Sequence, residues 1–191
     1  MASMATANSQ TRVTSRTKLL ATAADLFYSR GINATGIDTV IAQAGVAKGS
    51  MYHYFSSKEA LIAAYLDEES DAWLARVTRV DVPSEAPAER VSRLFLALAE
   101  QVDAGTFYGC PFTNAAIECP DMPDVRAAIA RYRRVLHDHI SDLLASRADE
   151  PLIATVTVLY DGALTSAKLT GESGRVRDVA IFVRELLASK P

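Results

Sequence analysis

Apolar residues recur along this chain at i, i+3, i+4 and i+7, the period of one buried helical face, and the predicted fold class is all-α with about nine helices. A first helix over 14–30 places Leu20, Ala23, Ala24 and Phe27 inward and stops at Gly31. Ile37, Val40, Ile41 and Ala44 give a second, short helix, with Thr35 and Asp38 in the form of a capping box at its start and Gly45 as its stop. Val46 fills the corner. A third helix follows over 48–55, in which only Met51 and Phe55 share an apolar face.

The fourth helix is expected to start at Ser56 or Ser57, with Ser56 and Glu59 as an S-x-x-E box. It continues through Leu61, Ile62, Tyr65, Leu66, Trp73, Leu74 and Val77. The proline-bearing stretch 81–87 reads as a loop. Val91, Leu94, Phe95, Leu98 and Val102 mark a fifth helix ending near Gly105, and a short sixth is bounded by Pro111 and Pro120. A seventh spans about 124–146. The eighth, over 151–170, is apolar almost all round and therefore expected to be buried on more than one side, and the ninth runs over 175–189.

Residues 35–55 are thus two short helices joined by a glycine turn, a helix-turn-helix. On the second of them Lys48, Ser50, Tyr52, His53 and Tyr54 point away from the core, a set suited to phosphates and base edges. Gly49 is poor inside a helix, costing about 1 kcal/mol relative to Ala, unless a backbone must approach a phosphate closely. Arg16, in the first turn of the first helix, and Lys58, in the first turn of the fourth, are candidate phosphate clamps. Thr35 completes the candidate set.

Net charge refines this picture. The chain carries −3 overall, but residues 1–66 hold +3 and residues 67–191 hold −6, the asymmetry of a basic nucleic-acid module joined to an acidic partner. Composition is that of a soluble globular protein, with no apolar run near the roughly 18 to 20 residues that span a bilayer and no signal peptide, so a cytoplasmic location is expected. Residues 1–13 read as a flexible tail, from which Arg12 could still touch DNA.

The run Arg16-x-x-Leu19-Leu20-x-x-Ala23-x-x-Leu26-Phe27-x-x-x-Gly31, then Thr35, Ile37, Val40, Ala44-Gly45-Val46, Lys48-Gly49-Ser50, Tyr52-x-Tyr54-Phe55 and Ser57-Lys58-Glu59-x-Leu61, resembles the DNA-binding domain of the tetracycline-repressor-like (TetR) family. The resemblance covers about the first third of the chain. It implies a helix-turn-helix DNA-binding domain over 14–60 and an all-helical effector-binding and dimerisation domain over 61–191. It also implies a double-stranded DNA operator, a small-molecule effector and a homodimer through helices 8 and 9. Ile41 and Ala47 depart from the common pattern, the latter standing where a serine often caps the recognition helix.

Effector candidates cluster in the second half: Phe107, Tyr108, Cys110, Phe112, Asn114, Tyr132, His139 and Tyr160. For each, lining a cavity competes with plain packing. Cys110 opens the sixth helix, where a helix dipole favours a thiolate and electrophile sensing; a small buried hydrophobe is the other reading. Cys110, Asn114 and Glu118 fall at i, i+4 and i+8 and resemble a Gly-Cys…Asn…Glu stretch in a subset of the same family. No catalytic, cofactor or metal motif is present, so no cofactor and no enzymatic activity are expected. The competing function class is a dimeric ligand-binding or interaction protein whose N-terminal module no longer reads DNA.

Overall fold

The computed structural model describes residues 14–189; the stretch 1–13, with Arg12, lies outside them. Among the described residues the order is α1 (Ser15–Arg30), α2 (Ile37–Ala44), α3 (Lys48–Tyr54), α4 (Lys58–Val80), α5 (Pro87–Asp103), α6 (Pro111–Glu118), α7 (Pro123–Leu144), a short 3₁₀ turn (Ala145–Arg147), α8 (Glu150–Thr170) and α9 (Gly174–Ala188), with no strand. The helix ends follow local chemistry. Thr14 caps α1 by accepting the Thr17 N–H at 3.2 Å, and Gly45 closes α2 in the left-handed region at φ 64°, where a Cβ would be strained. Pro87, Pro111 and Pro123 sit in first turns, where a missing N–H costs nothing.

Both expected capping boxes fail to form. Gly36, not Thr35, is the N-cap of α2, with no side-chain cap. Thr35 is 2% exposed and donates its hydroxyl to the Gly31 carbonyl at 2.8 Å. The α1–α2 loop is tight, and its partly buried Gly31 carbonyl takes the hydroxyl that a helix terminus would otherwise use. Ser57 caps α4 by accepting the Ala60 N–H, while Glu59 leaves its own helix and accepts the Asp124 N–H at 2.9 Å, capping α7 instead.

One hydrophobic cluster runs from Leu19 in α1 to Leu187 in α9. Phe27 meets Tyr65 edge-on at 5.7 Å, joining α1 to α4. Beyond that point α4 packs along α7, and α5 along α9. Arg90, 8% exposed, ties three helices together. Its guanidinium donates to both carboxylate oxygens of Asp81 at the end of α4, and to the Asp142 carboxylate and carbonyl in α7. A buried cation requires this many acceptors, and the bidentate fork supplies them.

The apolar character of α8 and α9 is only partly absorbed within the chain. Ile153, Val156, Tyr160 and Ala163 face inward, as do Val176, Ala180, Val183 and Leu187. Val158 (68%), Leu169 (81%), Ile181 (47%) and Phe182 (55%) are exposed.

Candidate functional site

The first candidate site is the outer face of α3. Met51, at the middle of α3, is fully buried and Phe55, its C-cap, nearly so, anchoring the inner edge of the helix. That leaves Tyr52, His53 and Tyr54 exposed, with His53 and Tyr54 edge to face at 4.8 Å. Ala47 caps α3 without a side-chain bond, so the entry to this helix is held by backbone and by packing. Lys48 is exposed and pairs with Asp38 of α2 at 3.0 Å. The hydrogen bond from Lys48 to Asp38 raises the lysine pKa, which keeps it charged while solvent screening leaves the pair weak and easily exchanged. Nothing lies within 4 Å of a Cβ built on Gly49, so no contact inside the protein requires a glycine there. Ser50 is half-buried.

Of the supporting residues, Arg16 is exposed and lays its guanidinium over the Phe55 ring at 5.5 Å, beside the end of α3. Thr35 and Lys58 lie elsewhere. Thr35 is buried as described above, and Lys58 donates its ammonium to the Ile32 carbonyl at 2.7 Å and sits over the Phe27 ring. Lys58 thus has a structural contact of its own within the chain.

The second candidate site is an enclosed aromatic cavity at the junction of α1, α4, α5, α6, α7 and α8. Tyr28, Trp73, Phe107, Phe112, Tyr132 and Tyr160 supply its rings, with Glu69, Arg76, Gln101 and Cys110 among the other lining residues. Phe112 and Tyr132 stack face to face at 3.5 Å. The Trp73 indole N–H donates to the Tyr160 hydroxyl at 3.0 Å. Burial pushes the Tyr160 phenol up to about 12 and Tyr132 well above its ordinary value, so both stay neutral donors. The enclosed volume is only about 30 Å³, room for a water molecule rather than an organic ligand.

Five of the effector candidates, Phe107, Cys110, Phe112, Tyr132 and Tyr160, line this cavity; Tyr108, Asn114 and His139 do not. Tyr108 lies on the outer surface, its ring edge-on to Tyr28, and Asn114 faces a separate groove toward α8. His139 packs on the far side of Trp73, at 5.6 Å, where burial depresses its pKa against the opposing pull of Asp81 and Asp142. Helical period placed these three near the right elements, but could not tell which side of Trp73 each would take. It also left unmarked Tyr28, Glu69, Trp73, Arg76 and Gln101. The available signal was the i, i+4, i+7 spacing of Glu69, Trp73 and Arg76 on α4, where two charges flank an aromatic on a face otherwise read as core.

Cys110 is the N-cap of α6 and 9% exposed; Cys119, 2% exposed, has its thiol pKa pushed up by burial. Cys110 and Asn114 share a groove toward α8, but Glu118 is engaged elsewhere. Asn114 donates toward the Tyr108 carbonyl, while Glu118 accepts the Asn33 N–H in the α1–α2 loop at 2.7 Å. Thus α6 has one end on the cavity and the other on the helix-turn-helix.

Among known proteins, the chain matches the family model for bacterial regulatory proteins of the tetR family over residues 19–65. It is 31% identical over 108 residues to the transcriptional repressor KstR2 of Mycolicibacterium smegmatis, a match covering 56% of this chain and 53% of that protein. The chain therefore spans about half the length of that relative. It is 28% identical to the Escherichia coli transcriptional repressor NemR, over 95% of this chain and 98% of that one. A crystal structure of a TetR-family transcriptional regulator from Streptomyces coelicolor is 32% identical, with a TM-score of 0.80 over 92% of this chain and 96% of its own.

Proposed function

The chain belongs to the TetR family of DNA-binding transcriptional regulators, and on that footing we propose that it is a homodimeric repressor of a palindromic operator, released when a small molecule enters the aromatic cavity. The observation that carries the DNA-reading part is α3 itself. A seven-residue helix with Met51 as its buried residue and Tyr52, His53 and Tyr54 turned to solvent spends little of its surface on the core. Lys48 and Arg16 flank it as phosphate contacts.

Dimerisation is supported by the exposed stripe Val158, Leu169, Ile181 and Phe182, since two helices with unburied apolar faces pair into a four-helix interface with a symmetry mate. The two copies of α3 would then sit roughly 34 to 36 Å apart, one turn of DNA. Release is supported by α4, which starts beside the helix-turn-helix at Lys58 and carries Glu69, Trp73 and Arg76 along the cavity.

The test is an electrophoretic shift on the duplex upstream of the protein's own gene against an unrelated duplex of equal length. The reading requires preference for the former, with affinity falling steeply between 50 and 200 mM salt, as about 6 to 10 phosphate contacts would dictate. Equal, weak binding to both would leave the alternative, a ligand-binding dimer whose N-terminal module no longer reads DNA.

A further inference from the structure

The aromatic cavity holds one carboxylate on its wall, Glu69, and the surroundings of that carboxylate say what it is for. Its pKa is raised, with desolvation the leading cause and Arg76 opposing it. Glu69 takes part in no side-chain hydrogen bond or ion pair among the described residues. Glu69, Tyr28 and Gln101 form the partition between the cavity and an open cleft of about 430 Å³. The charged side chains lining that cleft are Asp25 and Glu69, with Tyr28 and Tyr108 beside them and no basic residue. Arg76, two helical turns further along α4, lines the cavity as well and also reaches a groove with Arg79 and Glu100, but makes no ion pair with Glu69.

A partly desolvated carboxylate with no ion-pair partner costs stability, and a site that retains it gains when a cation arrives. Rings around the same space add to that preference, because the faces of tryptophan and tyrosine attract an onium group. Resting on the effector reading of this cavity, we propose that its ligand is a lipophilic aromatic monocation, an amine or quaternary ammonium. It enters through the acidic cleft and sets its charge against Glu69, with its ring among Trp73, Phe112 and Tyr132. Entry requires the Tyr28–Glu69–Gln101 partition to move aside, merging the small enclosed space with the cleft.

The chain contains a single tryptophan, Trp73, so its fluorescence reports this cavity directly. The probes are benzyltrimethylammonium and its uncharged isostere neopentylbenzene, titrated into the full-length protein. The expected result is saturable change in Trp73 emission with the ammonium, at least tenfold weaker binding of the hydrocarbon, and about tenfold weaker ammonium binding by Glu69→Gln. Because Glu69→Gln removes a desolvated charge, this variant should also melt no lower than the wild type at neutral pH, which separates lost recognition from lost folding.

Equal affinity for the two probes, or no effect of Glu69→Gln, overturns the cation assignment while leaving the cavity as an effector site for a neutral ligand. Failure of both probes to change Trp73 emission overturns it as well. Saturable, Glu69-dependent ammonium binding that leaves the DNA complex intact would uphold the ligand assignment and refute the release reading, so the two fail separately.

Discussion

Asn33 and Glu118, 85 residues apart, grip one another twice: the Asn33 N–H donates to the Glu118 carboxylate at 2.7 Å, and the Asn33 side-chain amide donates to the Glu118 carbonyl at 2.9 Å. The pair fits because Gly31, at φ 94°, keeps its side open; a Cβ there would lie 3.3 Å from the Glu118 carboxylate. Together with Glu59 capping α7 and the Tyr108 N–H donating to the Tyr28 hydroxyl, it fastens the helix-turn-helix to the larger helical body. Glu118→Ala removes the charge-assisted bond but not the carbonyl contact. At this exposed position it should cost about 1 kcal/mol and raise amide hydrogen exchange in 31–34 more than in α3. Unchanged exchange there would show that the contact does not hold the loop.

Lys48 and Lys58 should separate by assay. Lys48→Ala is expected to reduce the slope of log affinity against log salt by about 0.9, one phosphate contact. Lys58→Met leaves the Ile32 carbonyl without its donor. It should lower stability by about 1 kcal/mol in urea and leave the salt slope unchanged.

Tyr52→Ala and His53→Ala touch exposed side chains, so both variants should fold like the wild type while losing about 1 to 3 kcal/mol of operator discrimination where the side chain meets a base edge. Met51→Ala should do the reverse first, destabilising by about 2 to 5 kcal/mol because a fully buried side chain is deleted. Competition binding against a scrambled operator and urea denaturation distinguish the two outcomes.

Phe182→Glu places a charge on the exposed stripe of α8 and α9. The side chain is 55% exposed, so one chain tolerates the change, whereas a four-helix interface would bury two carboxylates without partners. Sedimentation should show the wild type as a dimer and the variant as a monomer. A wild-type monomer would remove the stripe from the dimer model.

His139 gives the stability a pH dependence of definite sign. Burial holds its pKa below the ordinary 6.5 in the folded protein, so the unfolded chain takes up the proton first as pH falls. Its contribution is complete above about 6.5 and is lost as pH drops through that value toward the folded pKa. His137 acts oppositely, because hydrogen bonds to Asp138 and then Glu150 raise its pKa; its contribution is full below 6.5 and is lost as pH rises through its folded value. The comparison is therefore between wild type and His139→Gln, which share His137. The wild-type melting temperature should fall more steeply than the variant's from pH 7.5 to 5.5, and parallel curves would refute the assignment.

The recognition helix was legible in the sequence because it is local. Gly45 ends one helix, Met51 and Phe55 fix the buried side of the next, and what remains is exposed by elimination. Helix positions throughout the chain were legible for the same reason, since period, proline and glycine act over a few residues. The capping boxes were not, because the partners that claimed Thr35 and Glu59, the Gly31 carbonyl and the Asp124 N–H at the start of α7, become available only once the chain is packed.

Sequence by itself determined which segments are helical, where they stop, and which face of α3 is left to solvent, since those outcomes depend on residues within one or two turns. Tertiary structure alone decided that Glu69 stands unpaired beside six aromatic rings, that Lys58 donates to the Ile32 carbonyl, and that Glu118 holds Asn33. Such contacts join residues separated by tens of positions, and a helical repeat says which way a side chain points without saying what will be waiting there.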